Sequence, residues 1–457
     1  MISRRNFLKT SALTLGASQL APLGALAAQA SGYKALVCVF LFGGCDAHDV
    51  LVNHDQPSYD LWAAQRRSIL DRFPGGASEG ARARANLLEL DPLNAADFGS
   101  QRFALPPEMS GIKSLFDAGR AAIVPNVGPL VEPADRQSVE DRTILLPPRL
   151  ASHNDQQSTW QAFAGEGAGQ GWGGLVMDAI NESSPYTAVS VAGQTVFLSG
   201  QQTRQLQLPA SGSIPQAYGT VGDVFGSQDV AERLRTYYRT SADHLQHPMM
   251  RDLVAAQRKA IADTGELASL IDGAQLGESV RLPDNHLSEQ LARVADMIAV
   301  RGSLSVNRQV FFVGMGSYDT HSDHVERMPG LLTQLSDAVT SFTNAMDGAG
   351  LGNDVTLFTA SEFGRTLTAN SSGTDHGWGG HQIVAGGAVR GRRIHGDVPP
   401  PMVDHPQAFR SRGAMIPQLS VEQYASELAR WFGLGESELD AVFPNRGRFD
   451  PLALQLF

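Results

Sequence analysis

Cysteine is almost missing from this chain: Cys38 and Cys45 are the only two in 457 residues. That is too few for a disulfide scaffold, so a chain of this length must draw its stability from a large apolar core. Cys38 falls inside the first predicted strand and Cys45 just beyond it, about 20 Å away if the segment is extended, which argues against a bridge between them. Basic residues are also short, 36 against 47 acidic ones. Without the first thirty residues, which hold Arg4, Arg5 and Lys9 and no acid, 33 basic residues remain against 47 and the net charge becomes −14. Such a balance excludes a general affinity for nucleic acid or an anionic membrane, while leaving room for a local basic pocket. Long hydrophobic runs are lacking too. Thr10 to Leu26 is apolar but diluted by Ala, Gly, Ser and Thr, so no stable membrane span is expected. No internal repeat stands out.

What is present begins with an address. Ser3-Arg4-Arg5-Asn6-Phe7-Leu8-Lys9 reads as a twin-arginine export motif, with small-residue cleavage candidates at Ala25-Leu26-Ala27 and Ala28-Gln29-Ala30. The expectation is a signal peptide over residues 1–30, a passage through the twin-arginine translocase, and a periplasmic or secreted product. Passengers of that route cross already folded, which permits a cofactor without naming one. With 42% hydrophobic residues, the remainder fits two or three domains by length, or equally one large α/β domain with an insertion.

Lys34 to Phe42 is a continuous apolar run broken by Gly43-Gly44, as a central parallel strand reads when both its faces are covered. Ala121 to Val127, Gln309 to Gly314 and Asp354 to Ala360 read the same way, and Gln382 to Gly387 as a short final strand. Short strands are expected at Thr187 to Val191 and Gln194 to Leu198. Helices are expected around Leu61-Trp62 and Ile69-Leu70, over Ile112 to Ala118, and on the stripes Leu287, Leu291, Val294, Ile298 and Leu331, Leu335, Val339, Phe342, Met346. Ser420 to Gln423 opens a capped helix burying Tyr424, Leu428 and Trp431 and ending at Gly433. The stretch 200–302, with Leu206 to Gly226 as loop and helices after it, reads as an insertion or cap without chemistry of its own.

The chemistry gathers at strand ends, where ligands bind in open α/β sheets. Ser361-Glu362-Phe363-Gly364-Arg365 follows one strand, and Thr374-Asp375-His376-Gly377-Trp378-Gly379-Gly380-His381 closes the loop after it. Tyr318-Asp319-Thr320-His321-Ser322-Asp323-His324 follows another. Asp46 and Asp49 follow the first, as candidate metal ligands or as turn-capping residues, with His48 a weaker candidate. Four of the twelve histidines lie between 319 and 381 beside several acids, a donor set suited to Zn²⁺, Mn²⁺, Mg²⁺ or Ca²⁺ according to how many imidazoles take part. Ser152, followed by His153 and by Asp155 three residues on, fits a helix N-terminus. It is either a cap or a nucleophile placed where the helix dipole favours an anion.

These residues carry a resemblance. The Arg-Arg signal, Gly43-Gly44-Cys45-Asp46, Ser152-His153, Asp319-Thr320-His321, Ser361 to Thr366 and Gly373 to Gly380, in that order, resemble the exported bacterial family called domain of unknown function 1501, which in turn resembles the alkaline phosphatase and sulfatase superfamily. The resemblance implies an α/β fold with a mostly parallel sheet sandwiched by helices. It implies that Asp46 is a first-strand metal ligand, Ser152 the nucleophile, Asp319 and His321 ligands of one metal, Glu362 the acid of another, and His376 the late histidine. His153, His324, Asp375 and His381 are further candidates. The sequence differs from the superfamily at Glu362-Phe363, where those phosphatases often have Asp-His, and at Cys45 and Asp49 in the first motif. The function expected is an exported metal-dependent hydrolase of phosphate or sulfate esters, with Arg365 clamping the anion. The alternative is a catalytically silent binding protein of the same fold, with a glycan or a protein in its groove.

Overall fold

The structure is a computed structural model that describes residues 32–182, 184–214, 223–239, 248–409 and 411–457. The export motif and the cleavage candidates lie outside the described residues. In chain order, strand β1 (Lys34–Leu41) leads through Gly43-Gly44 to α1 (Ala47–Val50), α2 (Gln56–Gln65) and α3 (Ser110–Asp117), which feeds β2 (Ala121–Gly128). Helices α4 (His153–Ala162) and α5 (Trp172–Ile180) precede the edge strands β3 (Ala188–Ser190) and β4 (Leu206–Gln207). Helices α6 (Gln228–Arg239), α7 (Pro248–Asp272) and α8 (His286–Ala299) follow. Then come β5 (Arg308–Met315), α9 (His324–Gly348), β6 (Val355–Ala360), β7 (Gly380–Ala385), β8 (Leu419–Ser420) and α10 (Val421–Phe432).

The eight strands form one sheet in the order β8-β2-β7-β6-β1-β5-β3-β4. All pairs are parallel except those made by β7, which runs antiparallel to both β6 and β2. The protein is thus a mixed α/β fold with a large, mostly parallel central sheet flanked by helices. Strand β1 shows why its run is unbroken. Ala35, Val37, Val39 and Leu41 enter a core with Phe116, Leu291 and Val339, while Leu36, Cys38 and Phe40 enter the opposite core with Trp172, Val176 and Leu428. Each fully buried Val, Leu or Phe there contributes about 1.5–3 kcal/mol. Both cysteines are buried and free. No described helix is long and apolar enough to cross a membrane.

Several expectations need correction. Gln194 to Leu198 is no strand; Gln161 Oε1 accepts from Thr195 Oγ1 and Phe197 N, so a side chain satisfies the backbone there instead of a ladder. Strand β7 is not the last, since β8 adds to β2. Part of the loop expected over Leu206 to Gly226 is β4, paired with β3, and 215–222 lie outside the described residues. Trp431 is only half-buried, stacked on Phe457 with Lys34 over its ring, and Phe432 takes the core position. Helices α8 and α9 bury the expected stripes, and Asn285 caps α8 by accepting from Ser288 N.

Registry positions the site. Phe40 of β1 pairs with Gly314 of β5 and Ala360 of β6, so the three parallel strands end together and release Gly43, Asp319 and Glu362 at one sheet edge. Strand β7 begins at that same edge, with Gly380 opposite Val127, because it runs the other way. The loop carrying His376 therefore arrives where the others leave.

Candidate metal centre at the carboxyl edge of the sheet

Two glycines let the loops close on one another. Gly43 has φ +112°, and a Cβ there would lie 2.4 Å from Asp319 N; at Gly44 (φ +82°) it would lie 2.3 Å from the Phe363 ring. Gly43 N donates to Glu362 Oε1 at 2.7 Å. A Gly43→Ala substitution is expected to push the Asp319 backbone away, costing about 1–3 kcal/mol of stability as a strained position. Thermal unfolding checks this.

Asp319 is the hub. Its Oδ1 accepts from Arg365 Nη2 at 2.5 Å and lies 3.4 Å from His376 Nε2 and 3.3 Å from His321 Nε2, and its Oδ2 lies 3.6 Å from His153 Nε2. Its carboxylate stays 44% exposed. Against the cost of partial burial, the Arg365 guanidinium and the imidazoles hold its carboxyl below the usual range. The donor atoms of His153, Asp319 and His376 all lie within 4.8 Å of one another.

The far side of each imidazole is committed. His153 Nδ1 meets Glu362 Oε1 at 2.9 Å, and His376 Nδ1 meets the Ala151 carbonyl oxygen at 2.8 Å. A carbonyl and a carboxylate only accept, so both Nδ1 atoms carry hydrogen and both Nε2 atoms of the neutral rings turn a lone pair to Asp319. The Glu362 hydrogen bond raises the His153 pKa, while burial and then the nearby Arg365 lower that of His376. Glu362 is fully buried; Oε1 also accepts from Gln157 Nε2 at 3.2 Å, and Oε2 has no partner among the described residues. His153 and Gln157, four residues apart on α4, share the face turned to Glu362. That spacing was the available signal for Gln157, which sequence reasoning missed.

The remaining candidates stand in different places. His321, 45% exposed, flanks His376 with ring centroids 4.6 Å apart, and its Nδ1 lies 3.4 Å from Asp375 Oδ1. Asp375 in turn pairs with Arg412. Arg365, expected to clamp an anion, is fully buried: its guanidinium donates to the carbonyl oxygens of Gly43, Gly44, Tyr318 and Thr374 and to Asp319. It positions Asp319 and does not face solvent. Ser152 starts α4 as its N-cap residue but makes no capping bond; its Oγ donates to Asp155 Oδ2 at 2.8 Å. The capping role is thus not met, and its hydroxyl partner is Asp155, not a member of the cluster.

Asp46, expected as a metal ligand, belongs to a buried ionic network behind the site. It pairs with Arg66, both side chains fully buried, and caps α1 by accepting from His48 N. Arg82 bridges Asp49 and Glu108, and His324 contacts Asp49 (3.3 Å) and Thr320 Oγ1 (3.2 Å) with no exposed surface. His324 therefore anchors the loop between Asp319 and α9. Arg66 and Arg82 were not anticipated, because nothing in their local sequence marks a partner remote along the chain. His381 accepts from Asn126 N through Nδ1 at 3.0 Å, so its ring is neutral. Burial lowers its pKa to about 3 and that of His48 to about 4, from 6.5. Both rings stay neutral in the folded state while the unfolded chain takes up protons below pH 6.5. Their contribution is intact above that pH and lost as pH falls from about 6.5 towards 3, at up to ~1.4 kcal/mol per unit for each ring. Urea unfolding between pH 7 and 4 checks it: loss of stability on acidification is expected, and His48→Asn should flatten the curve.

A family profile described as "Protein of unknown function (DUF1501)" matches residues 33–439. Comparison with curated proteins gives no match. Among solved structures, the crystal structure of Ps i-CgsB in complex with k-i-k-neocarrahexaose aligns at 9% identity and TM-score 0.34, covering 92% of this chain and 78% of that one. Ps i-CgsB alone aligns at 10% identity and TM-score 0.31, covering 92% and 77%. Likeness at that level carries no argument about this chain. The profile match over most of its length does: the protein belongs to the DUF1501 family.

Proposed function

We propose that the protein binds a divalent cation between His153 Nε2, Asp319 and His376 Nε2 and hydrolyses an anionic phosphate or sulfate ester there. One observation carries the reading: two imidazole Nε2 atoms and a carboxylate converge, each held from behind by a hydrogen-bond partner. Oriented Nε2 donors backed by a carboxylate or a carbonyl are the usual form of metal-ligating histidines, and two histidines with one carboxylate suit Zn²⁺, Mn²⁺ or Fe²⁺ with positions left open. Such an ion supplies Lewis-acid polarisation of an ester oxygen and a water of lowered pKa. The chain's own part is positional. Arg365 holds the Asp319 carboxylate, Glu362 fixes the His153 tautomer, and Ala151 fixes His376. Within this reading the nucleophile is water, because the Ser152 hydroxyl is engaged by Asp155. The fold is of the alkaline phosphatase and sulfatase kind, and the Ser3–Lys9 motif exports it to the periplasm or beyond.

The test is metal analysis of the purified full chain, followed by a panel of phosphate and sulfate esters. One equivalent of metal and metal-dependent turnover are expected. Ser152→Ala should keep turnover within about threefold and cost about 0.5–1.5 kcal/mol of stability as the loss of one part-buried hydrogen bond; a loss of a thousandfold would make Ser152 the nucleophile. The second reading is a silent binding protein of this fold, favoured by the absence of an exposed Arg365. It would show metal-free protein that binds a glycan and turns nothing over.

A further inference from the structure

We infer that Arg412 receives the anionic group of the ligand at the rim of the imidazole cluster, held in place by Asp375. The inference rests on the hydrolase reading. A site for a phosphate or sulfate ester needs an exposed cation beside the reacting atoms, and guanidinium, planar and able to bind two oxygens at once, is the side chain best shaped for it. Geometry removes three arginines near the site: Arg365, Arg66 and Arg82 are each at most 1% exposed, set among carbonyls or carboxylates.

Arg327 and Arg72 donate to the carbonyl oxygens of Ser317 and Ser371, whereas Arg412, 47% exposed, connects to the cluster through side chains. Asp319 Oδ1 lies 3.3 Å from His321 Nε2, His321 Nδ1 lies 3.4 Å from Asp375 Oδ1, and Asp375 Oδ2 pairs with Arg412 Nη1. Among the described residues, Asp375 is the only partner of the Arg412 side chain, so the other edge of its guanidinium is left for a ligand. Its backbone is fixed to the same loop system. Thr368 N donates to Arg412 O, Leu367 N to Gly413 O, and Thr366 N to Asp375 O, and Asn370 Nδ2 steadies the Asp375 carboxylate at 3.3 Å. An ion pair this exposed contributes little to stability. Fold stability alone therefore gives little reason for an arginine at this point. Arg149 is the natural control. It is 76% exposed and pairs with Asp155 in the first turn of α4, and its side chain has no contact with His321 or Asp375 among the described residues.

The experiment is calorimetric titration of inorganic phosphate, and separately of inorganic sulfate, into the full-length protein with and without one equivalent of Zn²⁺, for the wild type, Arg412→Gln, Arg412→Lys and Arg149→Gln. Arg412→Gln is expected to weaken phosphate binding at least tenfold with Zn²⁺ stoichiometry unchanged, Arg412→Lys to restore part of it, and Arg149→Gln to stay within about twofold. Phosphate binding unchanged in Arg412→Gln, a larger loss in Arg149→Gln, or a wild type that binds neither anion under either condition would overturn the assignment. Should Zn²⁺ fail to bind while Arg412→Gln alone loses phosphate, the metal reading falls and the anion site stands.

Discussion

His376→Ala is expected to take bound Zn²⁺ from one equivalent per chain to less than a tenth, at metal concentrations that saturate the wild type. The ring supplies one of three donors lying within 4.8 Å of each other, and its loss leaves two. Removal of a partner behind a ligand typically costs 10–100-fold in metal affinity, and removal of a ligand should cost more. His153→Ala is expected to match it, whereas Glu362→Gln should fall in the 10–100-fold range, since its place is behind His153. Binding should also weaken on acidification, because a metal at Nε2 displaces the proton that Glu362 favours on His153. Competition titration against a zinc dye measures all of these. Full metal occupancy in both histidine variants would end the hydrolase reading. A partly exposed ring, 20% for His376, leaves little ground to expect misfolding as the cause of a loss.

The second large effect is on stability. Arg66→Ala is expected to cost about 3–5 kcal/mol, because it strands the Asp46 carboxylate, fully buried, without its counter-ion. Replacing both residues should cost less than the two single changes together, by a coupling of about 0.5–3 kcal/mol measured through urea unfolding. The same set of variants decides what Asp46 is for. If it is the ion-pair residue the structure shows, Asp46→Asn that remains folded keeps one equivalent of Zn²⁺. Loss of metal from folded Asp46→Asn would instead return Asp46 to the ligand set.

The elements of the sheet were legible because burial on both faces forces long β-branched and aromatic runs, as in β1, β5 and β6, and because Gly43-Gly44 and the Ser361 to Arg365 stretch sit where those runs stop. The sense of β7 was not legible. Its six residues are all buried and their pattern has no direction, and only pairing with β2 and β6 sets it antiparallel. Trp431 and Phe432 show a similar limit, since two adjacent aromatics at a helix end compete for one core position and packing chooses between them.

By itself the sequence determined a large-core α/β chain with two free cysteines, an acidic balance, and acids and histidines stationed at strand ends. Only the tertiary structure decided the duties of those residues. It brought His153, one of the further candidates, beside Asp319 and His376, drew Asp46 and His324 into a buried ionic network, and enclosed Arg365 among carbonyls. The physical reason is distance along the chain. Local pattern records which side chains avoid water, whereas the charge a carboxylate or an imidazole carries depends on partners that only folding brings within 4 Å, and for Asp319, His153 and Glu362 those partners lie on separate strands and helices.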